Sequence, residues 1–168
     1  MKREECSNCG KPAEIVRRNH RFDEMGLPLV LEGIEVISCL HCGNADPIIP
    51  NIDNLMHILA IAVILHDRKL CGPEIKFLRK YVGKNQKGFA ELIPVDHTYL
   101  CDLETGKDKI GDKLDKLIRF VVLGLSPELR DKIERLVAML PHIKDASCKR
   151  KPVLHYNPEQ AQTHYAHV

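Results

Sequence analysis

A chain of 168 residues with 44% hydrophobic and 29% charged content is long enough for one ordinary domain or two small ones, and reads as soluble and globular. A formal net charge of +2 removes bulk electrostatics as a reason to bind nucleic acid or membrane, so any such function has to come from local arrangement. The Met1–Glu5 start has no apolar run or small-residue cleavage site behind it, and the longest apolar stretch, Leu55 to Leu65, falls short of the roughly 20 residues that cross a bilayer; a cytoplasmic protein without a secretory signal or membrane partner is expected.

In chain order the first feature is Cys6-Ser-Asn-Cys9-Gly10, repeated as Cys39-Leu-His-Cys42-Gly43 after an interval of 29 residues. Each CxxCG can form a tight turn whose amides point at the thiolates, and together the two offer a tetrahedral S4 site. Zinc suits such a site: four thiolates at about 2.3 Å satisfy a d10 ion and leave no open position, which makes the metal structural and not catalytic. Cys6, Cys9, Cys39 and Cys42 are the expected ligands of one Zn2+ per chain, which would supply folding energy to a module too small for its own core. The competing reading is a pair of redox or unligated CxxC motifs, but neither pair opens a helix in the βαβ setting that activates a thioredoxin-like thiol. His20 and His41 are substitute ligands off the knuckle pattern, ferrous iron can occupy an S4 site, and Cys71, Cys101 and Cys148 read as small apolar or surface side chains.

The long interval has to make a β excursion and return. Ala13–Val16 and Leu29–Ile37 carry β-branched residues and apolar/charged alternation, and predict a small antiparallel sheet. The next segment, Asn54–His66, is apolar on nearly every face, with Asn51 or Asp53 as N-cap, and has to be covered all round. Either a second copy of the chain covers it, making a homodimer, or it is a spacer helix buried within one chain.

Helices follow at Pro73–Val82, ended by Gly83; at Gln86–Ile93, halted by Pro94; at His97–Glu104, capped by Asp96 and ended by Gly106; at Ile110–Leu123; and at Glu128–Met139, opened by Ser126-Pro127. The organisation expected is a zinc-binding module over residues 1–50, an apolar linker helix over 51–70, a helical domain over 71–140, and a disordered tail over 141–168. Within that tail, His155, His164 and His167 are too irregularly spaced for a metal tract, and Lys149-Arg150-Lys151 is too short to specify nucleic acid. His97, Tyr99 and Asp102 lie close on one helix, yet no nucleophile with a matched base, no glycine-rich phosphate loop and no open metal position accompanies them, so an enzyme is not expected.

The run from Pro73 to Gly106 places short helices around three-to-four-residue turns, the order of a helix-turn-helix. Glu74-Ile75, Leu78-Arg79, Gln86, Phe89-Ala90, Val95, Leu103-Glu104 and Gly106 stand where the Cro/repressor (Xre-like) pattern has them. With the CxxC...CxxC module and the apolar helix ahead of it, the chain over roughly residues 6–140 resembles the YgiT-type zinc-finger proteins and the MqsA antitoxins. That resemblance implies an α+β chain with a small β-rich zinc module followed by an all-α, lambda-repressor-like domain. It further implies a dimeric repressor of a palindromic operator whose zinc module grips a partner, commonly an mRNA-cleaving toxin. The family's phosphate-contacting glutamine falls on Gln86 and its base-reading positions on Thr98 and Asp102.

Helix geometry points the same way: with Leu100 and Leu103 inward, a 100° step turns Thr98, Cys101, Asp102 and Thr105 outward. His97 belongs with this DNA-facing set, and Lys84, Lys87, Lys107, Lys109 and Lys113 edge it as phosphate anchors. Asp102 is the anomaly, since it is repelled by phosphate but can accept from cytosine N4. From Gly72 to Leu125 ten Lys/Arg face eight Asp/Glu, a thin excess for a DNA binder. The alternative keeps the fold but makes the protein an interaction adaptor that docks through the zinc module and the apolar helix.

Overall fold

The computed structural model describes residues 3–23, 26–144, 153–158 and 162–166; Cys148, the Lys149–Lys151 cluster and His167 lie outside them. The architecture is mixed α+β. Six strands make one sheet in the order β1-β2-β3-β5-β6, with β4 also paired to β3, and six α-helices follow or pack beside it.

β2 (Pro12–Phe22) and β3 (Leu29–Ser38) are the antiparallel pair that the alternation predicts, but β2 runs on through Arg17-Arg18-Asn19-His20-Arg21, which has no apolar alternation to announce it. Pairing with β3 holds this polar half extended. Between Arg18 and His20 the register shifts, so that Glu32 and Gly33 oppose Asn19 alone. Gly33 sits at φ 59 and its amide donates to Asn19 Oδ1 at 3.0 Å, a bulge that re-aims the rest of β3. β1 (Arg3–Glu5) and β4 (Ala45–Pro47) are three-residue strands beside the cysteine turns.

α1 (Ile52–Leu65) is capped by Asn51, whose Oδ1 accepts from the Asn54 amide at 2.9 Å. Leu55, Met56, Leu59, Ala60, Val63 and Ile64 are buried within this one chain. They belong to a continuous apolar core that takes in Phe22, Leu29 and Leu31 from the sheet and Ile75, Leu78, Phe89, Leu100 and Leu103 from the helices. Cys6, Ala13 and Cys39 form a separate small cluster at the cysteine end.

α2 (Gly72–Tyr81), α3 (Gln86–Leu92) and α4 (His97–Thr105) follow the expected boundaries within a residue or two. α5 (Asp112–Leu125) starts two residues later than Ile110, because Gly111 holds an extended N-cap conformation. The last helix differs more: Pro127–Lys132 is a 3-10 segment and α6 is confined to Ile133–Met139.

Within the tail expected to be disordered, the described residues include two strands, which is a correction for those stretches. β5 (Val153–Asn157) lies parallel to β3, with Leu154 opposite Leu29 and Tyr156 opposite Leu31, and β6 (Gln162–Ala166) pairs antiparallel with β5. Leu154 and Tyr156 are buried. They are two apolar residues in a polar stretch, spaced by two, and that spacing puts both on the core side of an added strand.

A buried polar junction ties the loop after α1 to α2 and α5. Arg119, fully buried, donates from Nη1 to the Ile64 and His66 carbonyls at 2.5 and 3.1 Å and from Nη2 to the Arg68 carbonyl at 2.6 Å. Its charge is matched by Asp115 one turn earlier, Nε to Oδ2 at 3.0 Å, and Asp115 Oδ1 accepts the Leu70 amide at 2.7 Å. Beside it Glu74 accepts the Cys71 amide at 2.9 Å and both Arg68 guanidinium nitrogens, at 2.6 and 3.0 Å. Carbonyls at the end of an α-helix lack intrahelical partners, and here an arginine from another helix serves one in the last turn of α1 and two just beyond it.

Candidate metal centre and the outward face of α4

The two CxxCG turns close on each other at one end of the sheet. The first joins β1 to β2 and the second joins β3 to β4. In each, the leading cysteine's amide donates to the carbonyl five residues on, Cys6 to Lys11 and Cys39 to Asn44, both at 2.9 Å. In each, the glycine amide returns to that cysteine's carbonyl, Gly10 to Cys6 at 2.9 Å and Gly43 to Cys39 at 3.0 Å. Gly10 and Gly43 take φ 66 and 75, left-handed values at which a side chain is strained. Ser7 Oγ and Asn44 Nδ2 both donate to Asp46 Oδ2, at 2.5 and 2.8 Å, and stitch one turn to the other.

The result is that the ligand atoms of Cys6, Cys9, Cys39 and Cys42 all lie within 4.8 Å of one another. The Cys6–Cys42 and Cys9–Cys39 sulfur separations are 3.5 and 3.6 Å. A tetrahedral ion with sulfurs at about 2.3 Å requires them about 3.8 Å apart, so the donor set fits a metal with little movement. Two of the four cysteines, Cys6 and Cys39, are buried and two are exposed.

Amides prepare the thiolates. The Cys42 amide, opposed by desolvation and helped by His41, holds the Cys39 thiol below its ordinary value, and the Asn44 amide does the same for Cys42. Cys9 goes the other way, to about 12: the Lys11 amide pulls it down, but desolvation and the sulfurs of Cys42, Cys39 and Cys6 push it up further. Four sulfurs this close do not all carry charge until a cation joins them. His20 lies on β2 opposite Leu31, and neither it nor His41 enters the sulfur cluster.

α3 and α4 are separated by Ile93–Asp96, with Asn85 capping α3 through the Gly88 amide and Asp96 capping α4 through the Thr98 amide. Leu100 and Leu103 are buried as the wheel requires. His97, Thr98, Thr105, Lys107 and Lys109 are exposed, as is Lys87 on α3, while Cys101 and Asp102 are half-buried. Gln86 is half-buried and spends its amide inside the molecule, Nε2 donating to Glu104 Oε2 at 2.9 Å. Asp102 faces Lys107, Oδ1 to Nζ 3.2 Å.

The buried ion pairs leave no mark of their meeting in the sequence. Arg79 and Glu104 were visible only as members of a pattern, and nothing announced that they meet. Asp115 and Arg119 carried an i,i+4 signal, which on most helices marks a solvated pair. Burial of both pairs changes the surface balance. Of the ten basic and eight acidic residues from Gly72 to Leu125, Arg79, Arg119, Glu74, Glu104 and Asp115 are buried, leaving eight lysines against five carboxylates outside.

Compared with protein families, with curated proteins and with solved structures, the chain matches none.

Proposed function

We propose that the chain is a DNA-binding transcriptional regulator, an autorepressor or antitoxin of the MqsA kind, with a structural zinc ion on Cys6, Cys9, Cys39 and Cys42. The observation that carries the reading is the outer side of α3 and α4. There a nine-residue helix presents His97 and Thr98 with Lys87 and Lys109 beside it, and over the whole stretch from Gly72 to Leu125 the lysine surplus outside is three and not two. Phosphate contacts supply most of the affinity for a duplex, so a surplus placed on the surface counts for more than the same charge in total. In this reading operator DNA is the ligand, a homodimer is the form that matches a palindrome, a toxin is the protein partner, and helices α3 and α4 are the helix-turn-helix.

The zinc ion would fix the two turns, and four sulfurs leave it no open position for catalysis. The test is a gel shift at stated salt on duplex DNA from upstream of the chain's own gene. A specific shift at submicromolar protein, competed by the same duplex and not by a scrambled one, supports regulation; no specific shift below micromolar protein ends it.

One observation favours the second reading, an interaction adaptor. Leu40, between the cysteines of the second turn, is 84% exposed, and in this reading it is the side chain offered to a protein partner. α1 contributes less to that reading than its composition promised, because its apolar residues are spent on the chain's own core. Leu40→Ser discriminates: it weakens capture of a protein partner and leaves duplex binding unchanged.

A further inference from the structure

Asp102 stands at a position where a base-reading side chain is expected, yet its polar groups are turned on the chain itself. Gly106, at φ 79, folds the backbone back after α4. The Lys107 and Asp108 amides then donate to the Asp102 carbonyl at 2.9 and 3.2 Å, and the Lys107 ammonium reaches the Asp102 carboxylate at 3.2 Å. Thr105 joins the same closure: its Oγ1 donates to the Cys101 and Asp102 carbonyls at 2.9 and 3.2 Å. Two of the outward residues of α4 are therefore engaged at its C-terminal end.

The other end is different. His97 and Thr98 are exposed in the first turn, and in a helix-turn-helix it is the N-terminal residues of the second helix that reach base edges. A carboxylate near phosphate repels it, and a lysine facing that carboxylate cancels the repulsion at the cost of its own attraction to phosphate. The local charge is brought to zero.

We propose that Asp102 is a positioning residue and not a base reader: with Lys107 it closes and neutralises the C-terminal end of α4, and sequence discrimination falls to His97 and Thr98. This rests on the DNA-binding reading above. It carries an opposite sign to cytosine readout. A reader that loses its carboxylate binds its site less well, whereas a closed pair that loses its carboxylate releases a lysine to the phosphates.

The experiment uses the full zinc-loaded chain with two probes, the duplex preferred by the wild type in a randomised-pool selection and a scrambled duplex of equal length, over 50 to 200 mM salt. For Asp102→Asn the expected result is several-fold tighter binding to the scrambled duplex, a salt slope steeper by about 0.9, and an unchanged base preference. Asp102→Glu, which keeps a carboxylate within reach of Lys107, is expected to restore the wild-type slope, and Asp102→Asn combined with Lys107→Met to remove the gain. His97→Ala or Thr98→Ala is expected to weaken the preferred duplex about tenfold and leave the scrambled one unchanged. A selection in which Asp102→Asn loses preference at one base pair, with scrambled binding unmoved, overturns the inference while DNA binding stands. A wild-type chain that binds no duplex overturns the DNA reading itself, and this inference with it.

Discussion

Arg79 and Glu104 meet twice inside the molecule, Nε to Oε1 at 2.5 Å and Nη2 to Oε2 at 3.0 Å, and so fasten α2 to the end of α4. The guanidinium also donates to the Lys84 carbonyl at 2.9 Å, and Gln86 adds a donor to the same carboxylate. Removing one partner leaves a buried charge uncompensated, so Glu104→Ala is expected to cost about 3–5 kcal/mol in urea unfolding. Arg79→Met combined with Glu104→Leu is expected to cost much less, because both charges leave together. Equal losses for the single and double variants would show that the pair is not what holds these helices.

Gly72 opens α2 against the end of α4. A Cβ there would stand 2.6 Å from both the Leu103 and Glu104 carbonyl oxygens, which are backbone atoms with no side chain to swing away. Gly72→Ala is expected to lower stability by about 1–3 kcal/mol through overpacking. Gly111→Ala, whose Cβ meets nothing within 4 Å, is the control, and thermal melts that move alike for both would contradict the close approach.

Burial penalises the charge of Glu74, but the hydrogen bonds and charges of His66 and Arg68 outweigh the penalty and hold its carboxyl well below the usual range. A carboxyl with a depressed folded pKa stabilises the fold above its unfolded value, about 4.3, and that stability drains away as pH falls toward the folded one. The stability gap between wild type and Glu74→Gln is therefore expected to be widest near pH 7 and to narrow steadily below about pH 4.5. Denaturant midpoints of the two proteins between pH 7 and 2.5 measure it, and a constant gap would mean that the carboxylate charge is not the contribution.

Leu154 is fully buried in β5, opposite Leu29. Leu154→Ala is expected to cost about 2–5 kcal/mol, the range for a buried leucine. A melting temperature equal to wild type would return this segment to a dispensable tail.

The cysteine cluster packs with Ala13 apart from the main core. Chelation, or Cys42→Ser, is expected to take bound metal from one ion per chain to near none and to leave the far-UV signal of the helices in place. Elemental analysis and circular dichroism on the same sample read both quantities. Loss of the helical signal along with the metal would mean that the ion supports the whole fold.

Much of this was legible in the residues. The four cysteines were readable because CxxCG is a nearly self-contained turn: two cysteines, a glycine that accepts positive φ, and backbone partners no more than two residues beyond the motif. The helices were readable where a cap and a stop flank them, as Asp96 and Gly106 flank α4. β5 was not, because two apolar residues make a strand only when another strand offers an edge, and that edge belongs to β3, more than a hundred residues earlier. The Pro127–Lys132 segment departed from the α-helix that Ser126-Pro127 suggested, and only its 3-10 turn is seen where the first turns were expected.

What the sequence determined by itself is local: the cysteine turns, the caps, the apolar stripes and the outward set on α4, all of which depend on residues within a turn of one another. Tertiary structure decided the rest. It brought Cys6 and Cys9 against Cys39 and Cys42, buried Arg79 with Glu104 and Arg119 with Asp115, laid β5 along β3, and turned Lys107 onto Asp102. Each of these is a pairing of groups whose charge, thiol or strand edge has value only beside its partner, and no property of either residue alone names the partner.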